Sequence, residues 1–405
     1  MGCFSAKRDN RFFFRSAAII SALFAAPAVA QKPHDVASKN IVMHTDLPDD
    51  EARAMLDQFE KLLKQLSTFW GRPPNGTFEI FVVKDLSNWP TETFDATIQD
   101  FILKRVASTR TSTDRSVPGT NRRMRIYGAA RPEPFQFQLH FAFMSQTFPG
   151  TGPVWFRTGM AEVCSHWRED GTVAIGDVWR NYLRNAPNTA MSSVIKVTSS
   201  IDNGMEERAP MWCLNYFLLS NPNYASRFRK LALDFMQQRS TTFEKAFADC
   251  SREMTFEYKF FIDHLDDGLR ADLCALDWKK KAAAATPGAT YTIPVEAARG
   301  WQMTPLVLRE NQAYEYSATG TWKASFDGQD LTADGAPDKR GRLIGALLMT
   351  GANGNYEFSE SFDLGTSGLF ECPLNGRLVV RCQDDWNALG DNQGKIILKL
   401  SQQKK

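Results

Sequence analysis

Between residues 49 and 70 the apolar residues Met55, Leu56, Phe59, Leu62, Leu63, Leu66 and Phe69 recur three and four apart. That spacing puts them on one stripe of an amphipathic helix. Asp49, Asp50 and Glu51 lie just ahead of the stripe, where the positive end of a helix dipole favours carboxylates. Gly71-Arg72-Pro73-Pro74 ends the helix, because glycine accepts a left-handed cap and proline cannot continue the ladder. Phe78-Glu79-Ile80-Phe81-Val82-Val83 is rich in β-branched and aromatic residues and predicts a strand. The apolar segment around His140, with Phe141, Ala142 and Phe143, predicts a packed core helix. Residues 205–270 read as mostly helical, with Trp212, Tyr216, Phe217, Phe228, Leu231, Phe235, Phe247 and Phe260 as core. From Lys279 to Gly288 the chain runs through lysines, alanines and a Pro-Gly, which marks a domain boundary. Beyond it, short β runs and Gly-rich turns replace helical periodicity.

Composition changes this picture at the N-terminus. Lys7, Arg8, Arg11 and Arg15 precede an apolar run from Ala17 to Ala26, and Ala28-Val29-Ala30 follows. This is the pattern of a signal peptide over residues 1–30, so the mature chain is expected to be secreted, periplasmic or associated with the cell envelope. The run is too short to span a bilayer, and no later stretch approaches the roughly 20 apolar residues a span needs. A net charge of +2 over 405 residues gives no field that would attract nucleic acid. Export also makes disulfides available to Cys164, Cys213, Cys250, Cys274, Cys372 and Cys382. Local pairing of Cys250 with Cys274 and of Cys372 with Cys382 is expected, with buried free thiols as the alternative. Lys104, Arg105, Arg110, Arg115, Arg122, Arg123 and Arg125 form a basic segment. It reads as a solvated loop or, alternatively, as a surface for an anionic polysaccharide.

Residues 138–162 carry the most specific pattern. His140 is followed by Phe141 and, four residues on, by Met144; Trp155-Phe156-Arg157-Thr158-Gly159-Met160-Ala161 comes next. This resembles the gluzincin metallopeptidases, whose first helix carries His-Glu-x-x-His and whose second opens with Trp-x-x-Glu-Gly-x-Ala. Phe141 then stands at the general-base position, Met144 at the second histidine and Thr158 at the ligand glutamate. Catalytic zinc needs three protein ligands, a water and a nearby base, so the resemblance implies the frame without its reaction, and no zinc is expected. Cys164 and His166 sit two apart on a helix and do not face each other, which argues against a thiol protease.

The C-terminal region carries a second resemblance. Trp301-Gln302-Met303-Thr304, Gly320-Thr321-Trp322, Gly341–Leu347, Arg377–Arg381 and Ala388–Gly394 recur in the order seen in calcium-dependent β-sandwich lectins of the galactophilic bacterial type. Independently of that likeness, Asp384, Asp385, Asn387, Asp391 and Asn392 gather carboxylates and amides into one loop, and Ca²⁺ prefers such oxygens. An Asx-turn loop with solvated acids is the alternative. The resemblance implies Asp384, Asp391 and Asn392 as side-chain ligands, with backbone carbonyls near Phe326 and at Ala388. Where the lectins have His-Pro-x-Gln this chain has Ala336-Pro337-Asp338-Lys339, so galactose specificity is not implied. Asp338 and Lys339 are expected to hydrogen-bond a glycan, and Trp386 to stack on it.

The fold class expected is α+β: a mostly helical metallopeptidase-like domain with a small sheet (31–278), a linker (279–292) and an all-β sandwich (293–402). The expected function is non-catalytic, a pseudo-metallopeptidase scaffold joined to a calcium-binding, carbohydrate-binding module. The alternatives are a metallopeptidase with atypical ligands drawn from Glu162, Cys164 or His166, and a purely structural interaction protein.

Overall fold

The structure, a computed structural model, describes residues 32–113, 122–166, 181–183, 190–198, 205–325 and 327–403. Residues 1–30, expected to be a signal peptide, together with Arg115 and Phe326, lie outside the described residues. The chain is α+β, with a β-rich C-terminal region.

The first part opens with β1 (His34–Ala37), β2 (Ile41–Thr45), α1 (Asp49–Trp70) and β3 (Phe78–Val83). Then come α2 (Ala96–Leu103), β4 (Ala107–Thr113), β5 (Arg122–Ala129), α3 (Pro132–Thr147) and α4 (Val154–Ser165). The sheet order is β1-β2-β3-β5-β4, parallel between β2, β3 and β5 and antiparallel at both edges. Helix α1 behaves as its pattern dictates: Leu56, Phe59, Leu62, Leu63 and Leu66 are buried, and it ends at Gly71 with φ of 66°. Proline at the first position of α3 loses nothing, since that N–H has no helical acceptor. Further helices among the described residues are α5 (Met191–Val194), α6 (Met205–Ser220), α7 (Ala225–Met236), α8 (Phe243–Phe247) and α9 (Ser251–Asp263).

The second part is two packed sheets. One contains β6 (Ala283–Ala284), β8 (Gln302–Leu308), β10 (Leu343–Thr350), β11 (Tyr356–Phe358), β12 (Phe362–Asp363) and β14 (Gly376–Cys382). The other runs β13 (Ser367–Glu371), β9 (Ala313–Lys323), β15 (Gln393–Gln402), β7 (Thr290–Glu296). Strand alternation explains what each face covers. Leu378, Val380 and Cys382 of β14 enter the core between the sheets, as do Leu343 and Leu347 of β10. Val379, Ile344, Ala346 and Leu348 point the other way, into a separate cluster with Phe256 and Phe260 of α9. The first sheet is therefore apolar on both faces, and its outer face is roofed by the helical part.

The expected disulfides are corrected: all six cysteines from Cys164 to Cys382 are free thiols. Cys382 closes β14, about 20 Å along the strand from the turn holding Cys372, whereas a disulfide needs Cα atoms within about 7 Å. Cys274 faces Gly300, while the Cys250 sulfur takes a hydrogen bond from Arg227 at 3.3 Å.

Candidate functional site

Helices α3 and α4 bring the histidine segment and the tryptophan phrase together as a packed pair inside the main core. Trp155 is 2% exposed and reaches Phe228, Phe235 and Phe243. Gly159 meets α6: a Cβ there would lie 2.1 Å from Asn215 Nδ2 and 2.4 Å from the Met211 carbonyl oxygen. Asn215 Nδ2 in turn donates to the carbonyls of Trp155 and Met211, at 3.1 and 2.8 Å. The glycine is thus required by a helix crossing.

His140 is fully buried beside Trp70, with ring centroids 6.3 Å apart. Burial lowers its pKa to about 3, which keeps the imidazole neutral. A core histidine is expected to be hydrogen-bonded; this one is not, since neither ring nitrogen has a partner. Met144 is buried in the same cluster, Phe141 packs against it, and Thr158 is almost covered. Glu162, one turn beyond Thr158, is buried and ion-pairs with the partly exposed Arg208. Burial pushes its carboxyl upward and Arg208 draws it back. Burial also pushes the Cys164 thiol well above its ordinary value, so its thiolate, the form that ligates metal, is disfavoured. Among the described residues no three His, Cys, Asp or Glu side chains group as a metal site. In the basic segment, Lys104 pairs with Asp100 at 2.8 Å, Arg110 with Asp95 and Arg125 with Glu79 at 2.7 Å.

The acidic loop after β14 has a different character. Asp384 is half-buried; its Oδ1 accepts the Asp385 N–H at 2.9 Å. Asn392 is 5% exposed, and its Nδ2 donates to the Ala297 carbonyl at 3.3 Å. Asp384 Oδ2 and Asn392 Oδ1 are both buried without a hydrogen-bond partner. The two side chains lie against one another: burial raises the Asp384 carboxyl, while the Asp385 N–H, the Asn392 amide and Arg340 act to lower it. Buried polar atoms without partners are rare and costly, and here one short loop carries two of them. Asp391 sits exposed in a short 3₁₀ turn (Leu389–Asp391), and the Ala388 carbonyl accepts its N–H at 3.3 Å. The structure thus brings Asp384 and Asn392 together and leaves Asp391 at the solvent edge of the loop.

The turn Ala336–Arg342 lies alongside. Gly341 N–H donates to the Gln383 carbonyl at 2.7 Å, and the buried Trp322 indole donates to the Gly341 carbonyl at 2.6 Å. Asp338 accepts the Arg340 N–H at 3.1 Å, closing its own turn, and Lys339 pairs with Asp363 at 3.4 Å. Arg340, which acts on Asp384, was missed from the sequence because the lectin-like phrase ends at Lys339.

Trp386 is placed differently from the sugar-stacking expectation. The Arg381 guanidinium lies 3.7 Å from its ring centre, and Phe260 and His264 lie 5.5 and 5.2 Å away. The residue belongs to the seam between the helical part and the sandwich, and one ring face is already occupied. Sequence alone showed no sign of this, because Phe260 and His264 are over 100 residues away along the chain.

No family model matches the chain, and no curated protein matches it. Comparison with solved structures returns 31 chains. One, described as "EclA N-terminal domain; PllA-like lectin", is 16% identical over 28% of this chain and 96% of that chain, with a TM-score of 0.22. A likeness of that size carries no weight for function, which rests on the side chains described above.

Proposed function

We propose that this is an exported, non-catalytic glycan-binding protein whose β-sandwich holds calcium at the loop 384–392. The observation that carries the reading is the pair of buried, unpartnered oxygens, Asp384 Oδ2 and Asn392 Oδ1. Hard oxygen donors of this kind, one charged and one neutral, suit Ca²⁺. Asp391 and the Ala388 carbonyl would complete the protein's share of the shell. The ion would supply coordination positions for sugar hydroxyls, and Asp338 and Lys339 would meet the glycan at the rim. On this reading the helical part is a degenerate gluzincin-type scaffold: Phe141, Met144 and Thr158 leave His140 without the ligands and base that zinc hydrolysis needs.

The test is a glycan array probed with purified protein in calcium and in EDTA, alongside calcium titration calorimetry. Calcium-dependent glycan binding, lost in Asp384→Ala, is expected. Binding that persists unchanged in EDTA, or no heat on adding calcium, would overturn the reading.

A further inference from the structure

The loop that supplies both free oxygens is also an interdomain element. Leu389, at its centre, is fully buried and belongs to the core cluster of the helical part, not to the sandwich core. Asn387 lies against Gly268, where an added Cβ would approach its side chain to 2.8 Å. Gly390 lies against Arg270, with 3.2 Å from a Cβ position to Nη1. Arg381, 4% exposed, donates to the Cys382 carbonyl at 3.0 Å and to the Asp384 carbonyl, while its guanidinium stacks on Trp386. Trp386 then rests on Phe260 of α9.

We propose that the helical part positions the cation loop: Phe260 and the core around Leu389 hold residues 384–392 so that Asp384 and Asn392 face one ion. This rests on the calcium reading above. Apart from one 3₁₀ turn the loop has no regular structure of its own, and fixing free residues costs conformational entropy. Anchors at Trp386 and Leu389 remove most of that ordering from the binding step, which raises affinity without adding a ligand. The coupling is reciprocal by linkage: a bound ion must tighten the seam as much as the seam tightens the ion.

The experiment uses the full chain. Calcium affinity is measured by calorimetry for wild type, Phe260→Ala and Phe260→Leu, with circular dichroism confirming folding. His264→Ala stands in should Phe260→Ala fail to fold. Hydrogen exchange of residues 251–263 is followed with and without calcium. Phe260→Ala is expected to weaken calcium binding about tenfold, which corresponds to about 1.4 kcal/mol, and Phe260→Leu to restore most of it. Calcium is expected to slow exchange in α9 of wild type and to have no effect there in Asp384→Ala. A folded Phe260→Ala, or His264→Ala in its stead, that binds calcium as wild type does, with α9 exchange indifferent to calcium, overturns the positioning role while leaving the ion site intact. Wild type that binds no calcium overturns the proposed function and this inference together.

Discussion

Replacing Gly159 with alanine separates a packing role from a catalytic one for the tryptophan phrase. Helix propensity alone predicts stabilisation, since alanine is favoured over glycine by about 1 kcal/mol. The structure predicts the opposite sign. The new Cβ would stand 2.4 Å from the Met211 carbonyl oxygen, against about 3.3 Å for a tolerable carbon–oxygen contact. The two helices must then part by roughly 0.9 Å, and such overpacking typically costs about 1–3 kcal/mol. The same Cβ displaces Asn215 Nδ2, which serves two buried carbonyls. Each lost bond removes about 1 kcal/mol, and more where a buried partner stays unsatisfied. After the propensity gain, a net loss of about 2–4 kcal/mol follows. Urea unfolding followed by tryptophan fluorescence measures it, since Trp155 and Trp212 are both buried nearby. A Gly159→Ala protein as stable as wild type, or more stable, would refute the helix-crossing argument.

Three further outcomes are expected. His140, neutral down to about 3 in the folded chain, binds its proton near its ordinary pKa of about 6.5 once unfolded. Its contribution is complete above that value and is lost as pH falls toward 3, by about 1.4 kcal/mol per unit; His140→Leu should flatten unfolding free energy between pH 6 and 4 relative to wild type, and parallel profiles would contradict this. Leu389→Ala should destabilise the helical part by about 2–5 kcal/mol, the usual cost of emptying a leucine site in a core, read as a fall in its unfolding midpoint; an unchanged midpoint would remove Leu389 from that core. Thiol titration of unreduced, denatured protein should find Cys164, Cys213, Cys250, Cys274, Cys372 and Cys382 all reactive, and any pair protected until reduction would overturn the free-thiol assignment.

Elements set by local pattern were legible in the sequence. Helix α1 and strand β3 needed only their own periodicity and the stop at Gly71, and both formed where the pattern put them. The proximity of Asp384 and Asn392 was also readable, because one short loop contains both. What escaped was long-range. The pairing of cysteines depends on which strand ends meet, and that is invisible from spacing. Trp386 looked like an exposed aromatic in a polar loop, yet Phe260 and His264 sit over it. Arg381 falls on the outward register of β14, where a sandwich strand usually meets water; it is buried because a helix from the other part roofs that sheet.

The central claim is that the oxygens of Asp384 and Asn392 face a calcium ion. Calcium calorimetry on the full chain, compared with Asp384→Ala, tests it most directly. The account predicts one equivalent of calcium per wild-type chain, with a rise in unfolding temperature at saturation, and loss of both in Asp384→Ala. Equal calcium responses from the two proteins, or none from wild type, would contradict it.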